Sequence, residues 1–295
     1  MTTFIFGEAM LEYHSHGGAG LRYGGDTLNT AIHLARAGHE VAYVTAVGTD
    51  PISDALVDAW AAEGIDTRHV LRHPNRSPGI YAIHLDQHGE RSFLYWRDRS
   101  AAREMFALPG MTEALGAAAS AKLLYFSLIS LAIIDDAGRE ALLALASTRK
   151  QAGLAVAYDS NYRPNLWANR WDAAEASGKA MQFCTIGLPT NTDERDLWAS
   201  EEGECAIAER WNGAGCTLVA VKAAEKGCVL GDRTGDAPRV IPAVRTEVVD
   251  SSGAGDAFNG GFLDAWLRDR AIDDCVEAGQ SKARATLAHR GAILL

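Results

Sequence analysis

The residues best suited to chemistry lie in the run Asp-Ser-Ser-Gly-Ala-Gly-Asp-Ala-Phe-Asn-Gly-Gly at positions 250–261. Apolar residues recur at helical spacing from Ala254 to Trp266, which predicts a buried helix. Small residues at its start let backbone N–H groups approach a ligand. The first N–H groups of a helix lack intrahelical partners and lie at its positive end. This corner therefore suits a phosphate group.

Asp256 is the unexpected member of this run, because a carboxylate repels a ground-state phosphate. Its presence favours a role in proton removal. The alternative is a first-turn acid that complements the helix dipole, with Ser252 as the N-cap. The loop alone leaves both open. The Val-rich residues 245–249 predict a strand, which would make the corner a strand-to-helix turn.

Composition limits the class of partner. The chain has 295 residues, 47% hydrophobic and 22% charged, which is ordinary for a globular protein large enough to bury a sizeable core. Its net charge of −10 argues against binding to nucleic acid or to anionic membranes. A small anionic substrate stays open, since it needs only a local basic pocket.

The cysteines and the N-terminus predict a cytoplasmic protein. Five cysteines without a C-x-x-C pair indicate reduced thiols. The N-terminus runs directly into a predicted strand and lacks a basic region typical of a signal peptide. The longest apolar run, residues 123–134, is too short to span a bilayer.

Strand and helix patterns alternate along most of the chain. This alternation predicts a mostly parallel sheet with helices on both faces. Asp26 is expected to cap a helix that Gly38 ends. Short runs about Gly227 and Gly231 predict an antiparallel edge. The predicted strands lie near 4–7, 41–47, 122–127, 154–158, 183–187, 217–222 and 246–249, and further helices near 52–63, 135–152, 172–181, 203–213 and 271–289.

One region departs from this alternation. Residues 80–85 and 91–96 flank a turn containing Gly89, which predicts a β-hairpin. A ribbon inside an alternating chain looks like an insertion that covers a site. We therefore predict a single domain over residues 1–295, with a lid formed by insertions at about 9–25 and 68–102.

Several nucleotide and hydrolase motifs are missing. The sequence has no G-x-x-x-x-G-K-[ST], no G-x-G-x-x-G after its first strand and no G-x-S-x-G. Its paired histidines lack the further ligands of a metal site, so we expect them at the surface or in the lid.

Four separated motifs resemble one family, the ribokinase-like (PfkB) carbohydrate kinases, in the same order and over essentially the whole chain. Residues 24–31, Gly-Gly-Asp-Thr-Leu-Asn-Thr-Ala, resemble its N-terminal signature, and residues 250–261 its C-terminal signature with the anion hole and catalytic Asp. Residues 191–194 resemble its N-x-x-E motif, and residues 221–227 its nucleotide-side strand and turn. The resemblance implies a three-layer α/β/α fold with a mostly parallel central sheet and a small β-sheet lid.

Three details resemble the 2-keto-3-deoxygluconate kinases within that family. They are the form of residues 24–29, the lid segment Tyr95-Trp96-Arg97, and the loop at residues 159–167. Such a kinase phosphorylates the terminal hydroxyl of a six-carbon keto acid. The carboxylate of this keto acid predicts arginine in the binding site, because a guanidinium can bind a carboxylate through two hydrogen bonds. Arg97 and Arg163 are the candidates.

The resemblance also implies site residues. Asp256 would be the base, and the amides of Gly253, Ala254 and Gly255 would form the anion hole. ATP and Mg²⁺ are the implied cofactors, Glu194 would reach the metal through water, and a monovalent cation is a further candidate. The implied substrate-binding residues are Gly24, Gly25, Asp26, Asn29, Tyr81, Tyr95, Arg97, Arg163 and Asp256, and the implied ATP-binding residues are Asn161, Arg163, Asn191, Lys222, Gly227, Gly253, Ala254 and Gly255.

Plain structural roles stay open for several of these residues. Asn191 and Glu194 fit a helix N-cap and a first-turn acid, and Asp26 fits an N-cap alone. Tyr81 and Tyr95 fit the hydrophobic face of the ribbon. Lys222 carries the same ambiguity, since a lysine at a strand end is often solvated.

Alternative functions also stay open. A fructokinase or a 5-keto-2-deoxygluconate kinase of the same family would use the same catalytic corner. A non-catalytic sugar or nucleotide sensor on this fold is an alternative of a different class. Because the lid is predicted to be apolar on both faces, we also expect a homodimer built through the lids.

Overall fold

The first strand shows how the body is layered. In β1 (Thr3–Phe6), Phe4 and Phe6 lie in one apolar core and Ile5 in another, because successive side chains of a strand point to opposite faces. The computed structural model describes residues 2–14, 22–85, 91–233 and 237–293, without the side chains of residues 14, 85 and 91. Within these residues, a central sheet separates the two cores.

The other strands of this sheet are short to medium in length. They are β4 (Val41–Val47), β5 (Ile65–Asp66), β6 (Val70–Arg72), β9 (Leu123–Ser127), β10 (Ala155–Asp159), β11 (Ile186–Gly187), β12 (Leu218–Lys222), β13 (Cys228–Asp232) and β14 (Arg239–Ile241). Their order is β14-β13-β12-β11-β10-β9-β1-β4-β5, with β6 also pairing with β4. All pairs from β5 to β12 are parallel, and β13 and β14 add an antiparallel edge.

Helices cover both faces of the sheet. One core contains apolar residues of α1 (Asp26–Arg36), α2 (Pro51–Ala62), α9 (Ala254–Leu267) and α10 (Ile272–Leu287). The other contains those of α3 (Met111–Ala119), α4 (Leu128–Ile133), α5 (Asp136–Gln151), α6 (Arg170–Phe183), α7 (Asn191–Trp198) and α8 (Glu204–Ala214). The predicted three-layer α/β/α architecture is confirmed. No helix within the described residues is long and apolar enough to cross a membrane.

A second, four-stranded sheet forms the lid. It consists of β2 (Met10–His14), β3 (Tyr23–Gly24), β7 (Gly79–Leu85) and β8 (Arg91–Trp96) in the order β3-β2-β7-β8. The predicted hairpin is β7–β8, and β2 joins it through a parallel pairing that the sequence did not suggest. Residues 15–21 and 86–90 of the predicted lid lie outside the described residues. The assignment of residues 1–295 to a single domain stays a prediction.

Two local predictions are wrong. Residues 246–249 are not a strand, because the central sheet ends at β14. Among the described residues, the one backbone hydrogen bond from this stretch goes from Val249 N–H to Leu287 O at 2.8 Å. Asp26 does not cap α1. Gly25 occupies the N-cap position, and the Asp26 carboxylate accepts instead from Asn161 Nδ2 at 3.1 Å.

Candidate active site

The predicted site residues converge at the carboxyl edge of the parallel sheet. The strands β10 and β12 end there at Asp159 and Lys222, and the helices α1 and α9 begin there. Ligands of open α/β sheets bind at this edge, outside the strand ends. The lid strand β3 leads directly into α1, so the lid adjoins the same edge.

Asp256 lies where α1 and α9 meet. Its Oδ2 accepts a hydrogen bond from Asn29 Nδ2 at 2.8 Å, and its backbone oxygen accepts one from Thr30 Oγ1 at 3.3 Å. Burial raises the pKa of Asp256 to about 8, and the carboxylates of Asp26 and Asp159 add to this rise. The hydrogen bond from Asn29 opposes it. A carboxylate whose pKa lies near neutrality suits general base catalysis.

The amides at the start of α9 are open to a ligand. The first i→i−4 bond of α9 runs from Ala257 N–H to Gly253 O at 2.8 Å, so the N–H groups of Gly255 and Asp256 have no intrahelical acceptor. No side chain caps this helix, and the Ala254 N–H makes a long 3.3 Å bond to Ser251 O. Gly253 has a φ of +69°, and a Cβ there would clash with Ala292, so this turn requires glycine. The corner is a preorganised cluster of donors.

Lys222 lies beside this corner in a buried network. Its Nζ donates to Asp159 Oδ2 at 3.1 Å and to Asn259 Oδ1 at 3.0 Å. Asn259 Nδ2 donates to the same Asp159 oxygen at 2.7 Å and to Tyr125 OH at 3.0 Å. A Cβ added to Gly255 would lie 3.9 Å from Lys222 Nζ. The network therefore holds a cation next to the open amides.

Three members of this network were given no role by the sequence. Asn259 lies three residues after Asp256, which places both on neighbouring positions of one helix face. Asp159 ends a buried strand, which is where ligand-binding residues of parallel sheets gather. These two signals could have identified them. Tyr125 carries no comparable signal, because it reads as a core residue of β9 and is fully buried.

Asp26, Asn29 and Asn161 form a polar group around the start of α1. Burial raises the pKa of Asp26, whereas a hydrogen bond from Ser127 lowers it. Asn161, predicted at the nucleotide, contacts Asp26 and so joins the residues predicted for the sugar. Its ATP-binding role stays a prediction.

The lid contributes stacked tyrosines. The rings of Tyr81 and Tyr95 are 6.0 Å apart between centroids. Tyr81 OH donates to Glu12, and a Cβ on Gly24 would clash with that hydroxyl. Burial raises the pKa of Tyr81, and the charge of Asp256 contributes to the rise. The hydroxyl of Tyr81 therefore lies between the carboxylate of Glu12 and the backbone of Gly24.

The two predicted carboxylate-binding arginines differ in their surroundings. Arg97 is buried and forms an ion pair with the buried Glu8. Arg163 has a half-exposed side chain; its Nη1 donates to Tyr162 O at 2.7 Å and lies 3.4 Å from Asp193 Oδ1. The structure does not bring the two guanidinium groups into contact with a common residue among those it describes.

Two of the residues predicted at the nucleotide lie at the start of α7 and in the turn before β13. Asn191 Nδ2 donates to Glu204 Oε1 at 2.9 Å, and Gly227 ends the turn that precedes β13. Glu194 is buried, its pKa is raised by that burial, and its Oε2 accepts from Arg210 and from Trp211 at 2.9 Å each.

These contacts limit how a metal could bind. Glu194 Oε1 is buried without a hydrogen-bond partner, which fits one contact to a water molecule. The described residues contain no group of three or more His, Cys, Asp or Glu side chains able to hold a metal ion. Mg²⁺ is commonly held by one or two carboxylates together with the phosphate oxygens of a substrate.

Comparison with known proteins identifies the family of this chain. A family model described as the pfkB family of carbohydrate kinases matches residues 12–295. The chain belongs to this family. The sequence-based prediction of a PfkB carbohydrate kinase is thereby confirmed.

Individual pfkB kinases extend the likeness. A 2-dehydro-3-deoxygluconokinase of Haemophilus influenzae is 37% identical over 297 residues, covering 98% of this chain and 94% of that protein. The structure of a 2-dehydro-3-deoxygluconokinase of Thermotoga maritima has a TM-score of 0.86 at 21% identity, covering 100% of this chain and 94% of the other. A fructokinase of Xylella fastidiosa with bound ATP has a TM-score of 0.80 at 24% identity, covering 99% and 93%. The two structures support the fold alone.

Proposed function

We propose that this pfkB kinase transfers the γ-phosphoryl group of ATP to the terminal hydroxyl of 2-keto-3-deoxygluconate, also named 2-dehydro-3-deoxygluconate. The product would be 2-keto-3-deoxy-6-phosphogluconate. The likeness to a kinase of that name supports the substrate. The observation that carries the reaction is the contact of Asp256 with Asn29 beside the uncapped start of α9.

Asp256 is the proposed base. Its carboxylate takes the proton of the sugar hydroxyl as the hydroxyl oxygen bonds to the γ-phosphorus. The bond from that phosphorus to the bridging oxygen breaks, and the electron pair leaves with ADP. The hydrogen bond from Asn29 fixes one carboxylate oxygen and leaves the other for the substrate.

The amides of Gly255 and Asp256, with Gly253 and Ala254 shaping the turn, are proposed to stabilise the migrating phosphoryl group. Fixed donors at a helix N-terminus stabilise developing negative charge without reorganisation. The Lys222 ammonium group lies beside Gly255 and adds positive charge at the same point. Its bonds to Asp159 and Asn259 prevent it from moving away.

The sugar is proposed to lie between the start of α1 and the lid. Asp26 and Asn29 would bind its hydroxyl groups, next to the backbone of Gly24 and Gly25. The further sugar contacts proposed from the lid and the strand-end loop are Tyr81, Tyr95, Arg97 and Arg163, the arginines binding the carboxylate.

ATP is proposed to extend from the anion hole toward α7 and the β12–β13 turn, near Asn161, Arg163, Asn191, Lys222 and Gly227. Mg²⁺ is proposed to arrive with the ATP phosphates, where it neutralises their charge, and Glu194 Oε1 would hold a water molecule toward it. A monovalent cation remains a candidate activator.

A homodimer through the lid is also proposed. The lid face opposite the stacked tyrosines exposes Leu94 by 58% and Trp96 by 56%, together with Ile80 by 38%. These three side chains lie on one face, because residues two apart in a strand point the same way and Ile80 is paired with Trp96. An exposed apolar sheet face of this kind marks an interaction surface.

We expect the enzyme in the cytoplasm.

A substrate panel tests the proposal. The purified protein is given ATP, Mg²⁺ and either 2-keto-3-deoxygluconate, 5-keto-2-deoxygluconate or fructose, and ADP release is followed by a coupled assay. Turnover with 2-keto-3-deoxygluconate is expected to have the highest kcat/KM. Preference for fructose would contradict the carboxylate-binding role of the arginines, and binding without turnover would indicate a sensor.

A further inference from the structure

The lid joins the body where the chain crosses between the two sheets. The chain passes from the body to the lid after β1 and again before β7. It returns to the body before α1 and after β8. Glu8 stands on the first crossing and is 1% exposed. A buried carboxylate is costly unless it is paired and hydrogen-bonded. The groups that hydrogen-bond to the Glu8 carboxylate therefore decide how well its burial is compensated.

Both partners come from the last crossing. Arg97 Nη2 donates to Glu8 Oε2, and Ser100 Oγ donates to Glu8 Oε1. Arg97 and Ser100 are 7% and 2% exposed, so the pairing is shielded from solvent. A hydrogen-bonded ion pair in such surroundings has a defined geometry.

The other two crossings pack against the same residue. A Cβ on Gly25, just before α1, would clash with the backbone oxygen of Glu8. A Cβ on Gly79, at the start of β7, would lie 3.1 Å from Glu8 Oε1 and 3.1 Å from Arg97 Cβ. All four connections between lid and body therefore meet on the Glu8–Arg97 pair.

Arg97 also belongs to the sugar end of the site. Its positive charge counteracts the rise in the pKa of Asp26, and its Cζ lies 5.9 Å from the centroid of the Tyr95 ring. Its buried Nε has no hydrogen-bond partner. Because a guanidinium group has five N–H donors, one carboxylate on Nη2 does not exhaust it.

We propose that Glu8 is a positioning residue, which acts through Arg97 to fix both the substrate carboxylate and the angle at which the lid meets the body. This inference rests on the proposed function, in which Arg97 binds the carboxylate of a keto acid. Glu8 itself does not touch the substrate.

A double-mutant cycle tests this coupling. Glu8→Gln, Arg97→Gln and the double variant are compared with the wild-type enzyme in KM for 2-keto-3-deoxygluconate, KM for ATP and kcat. Glu8→Gln is expected to raise the KM for the keto acid about tenfold, as for loss of one charge-assisted hydrogen bond. The KM for ATP should change by less than about twofold.

The combined variant decides the interpretation. If Glu8 acts through Arg97, adding Glu8→Gln to Arg97→Gln should change the KM for the keto acid by less than about twofold. The proposal would be overturned if the two substitutions multiplied each other's effects on the KM for the keto acid. It would also be overturned if the KM for ATP rose as much as the KM for the keto acid. Either result would indicate a structural role only. If the wild-type enzyme turns over neutral sugars alone, the proposed function and this inference both fail.

Two further variants keep the test decisive. Ser100→Ala removes the neutral hydrogen bond without removing a charge, and should raise the KM for the keto acid by about twofold to threefold. If Glu8→Gln fails to fold, Ser100→Ala takes its place as the test. An unchanged KM for the keto acid in Ser100→Ala would then overturn the proposal. Glu175→Gln is the control, because Glu175 forms a charge pair with Lys179 at 2.7 Å within α6. It should leave every kinetic constant unchanged.

Discussion

Two buried cationic side chains of this protein have different kinds of hydrogen-bond partner. Arg149 on α5 is fully buried and donates only to backbone oxygens among its described contacts, including Ala118 O at 2.6 Å and Ala155 O at 2.9 Å. Lys222 at the end of β12 donates to the carboxylate of Asp159.

The difference sets a structural role for Arg149 against the role that we propose for Lys222 in the active site. Arg149 donates to the last carbonyl groups of α3, where the helix dipole is negative, and also to a carbonyl group of β10. Its guanidinium group therefore ties α3 to β10. Burial alone lowers the pKa of Arg149 to about 10. Lys222 pairs with the buried carboxylate of Asp159. Burial raises the pKa of Asp256 and the carboxylates of Asp26 and Asp159 raise it further, whereas the charge of Lys222 lowers it.

Asp256→Asn should have the largest effect. Loss of the base is expected to lower kcat by roughly 10²–10⁴-fold in the coupled ADP assay. Because folding raises the pKa of Asp256 from 3.8 to about 8, the stabilising effect of its protonated form is complete below pH 4 and is lost as the pH rises through 8.

The same substitution should therefore stabilise the fold at high pH. Urea unfolding at pH 9 is expected to show a higher free energy of unfolding for Asp256→Asn than for the wild-type protein. Equal stability at pH 9 would mean that the carboxylate is not held in an unfavourable environment.

Lys222→Met should affect both stability and catalysis. It leaves Asp159 buried without its cation, which is expected to cost about 3–5 kcal/mol in the free energy of unfolding. Adding Asp159→Asn should recover much of this stability but not kcat, because the charge beside Gly255 remains absent. Recovery of both would assign Lys222 a structural role only.

Arg149→Met should separate the two regions. Loss of its hydrogen bonds to buried carbonyl groups is expected to cost about 1–3 kcal/mol in urea unfolding. The kcat per folded molecule should equal that of the wild-type enzyme, because Arg149 contacts no site residue. A fall in kcat with stability unchanged would contradict the comparison.

Tyr125→Phe should have the smallest effect. It removes the hydroxyl that accepts from Asn259 Nδ2 at 3.0 Å, and about 1 kcal/mol of stability should be lost. Asn259 keeps its bonds to Asp159 and Lys222, so kcat is expected to fall by no more than a few-fold. A loss as large as that of Asp256→Asn would indicate a direct role for the hydroxyl.

The sequence predicted the layers well, because alternating strand and helix patterns report local periodicity. It failed at residues 246–249, where a valine-rich stretch has no strand beside it and Val248 is 59% exposed. Strand propensity measures fit to a half-buried pleated surface, and no such surface is available there.

The site was predictable where motifs are contiguous and not where contacts are distant. The Gly253–Gly255 corner and Asp256 follow from adjacent residues, whereas Asn29 and Asp256 meet across 227 positions and Asn259 and Asp159 across 100. The pairing of Arg97 with Glu8, 89 positions apart, is equally invisible to a local pattern. Sequence reasoning assigned Arg97 a role but could not find the residue that orients it.

Asp256, in its carboxylate form, is proposed to remove the proton of the sugar hydroxyl. The most direct test is the pH dependence of kcat/KM between pH 6 and 10. Since the pKa of Asp256 is raised to about 8, kcat/KM should rise about tenfold per pH unit below pH 8 and level off above it. Lys222→Met should move this limb to higher pH, because Lys222 lowers the pKa of Asp256. A wild-type profile that is flat across this range, or one whose limb persists unchanged in Asp256→Asn, would contradict the account.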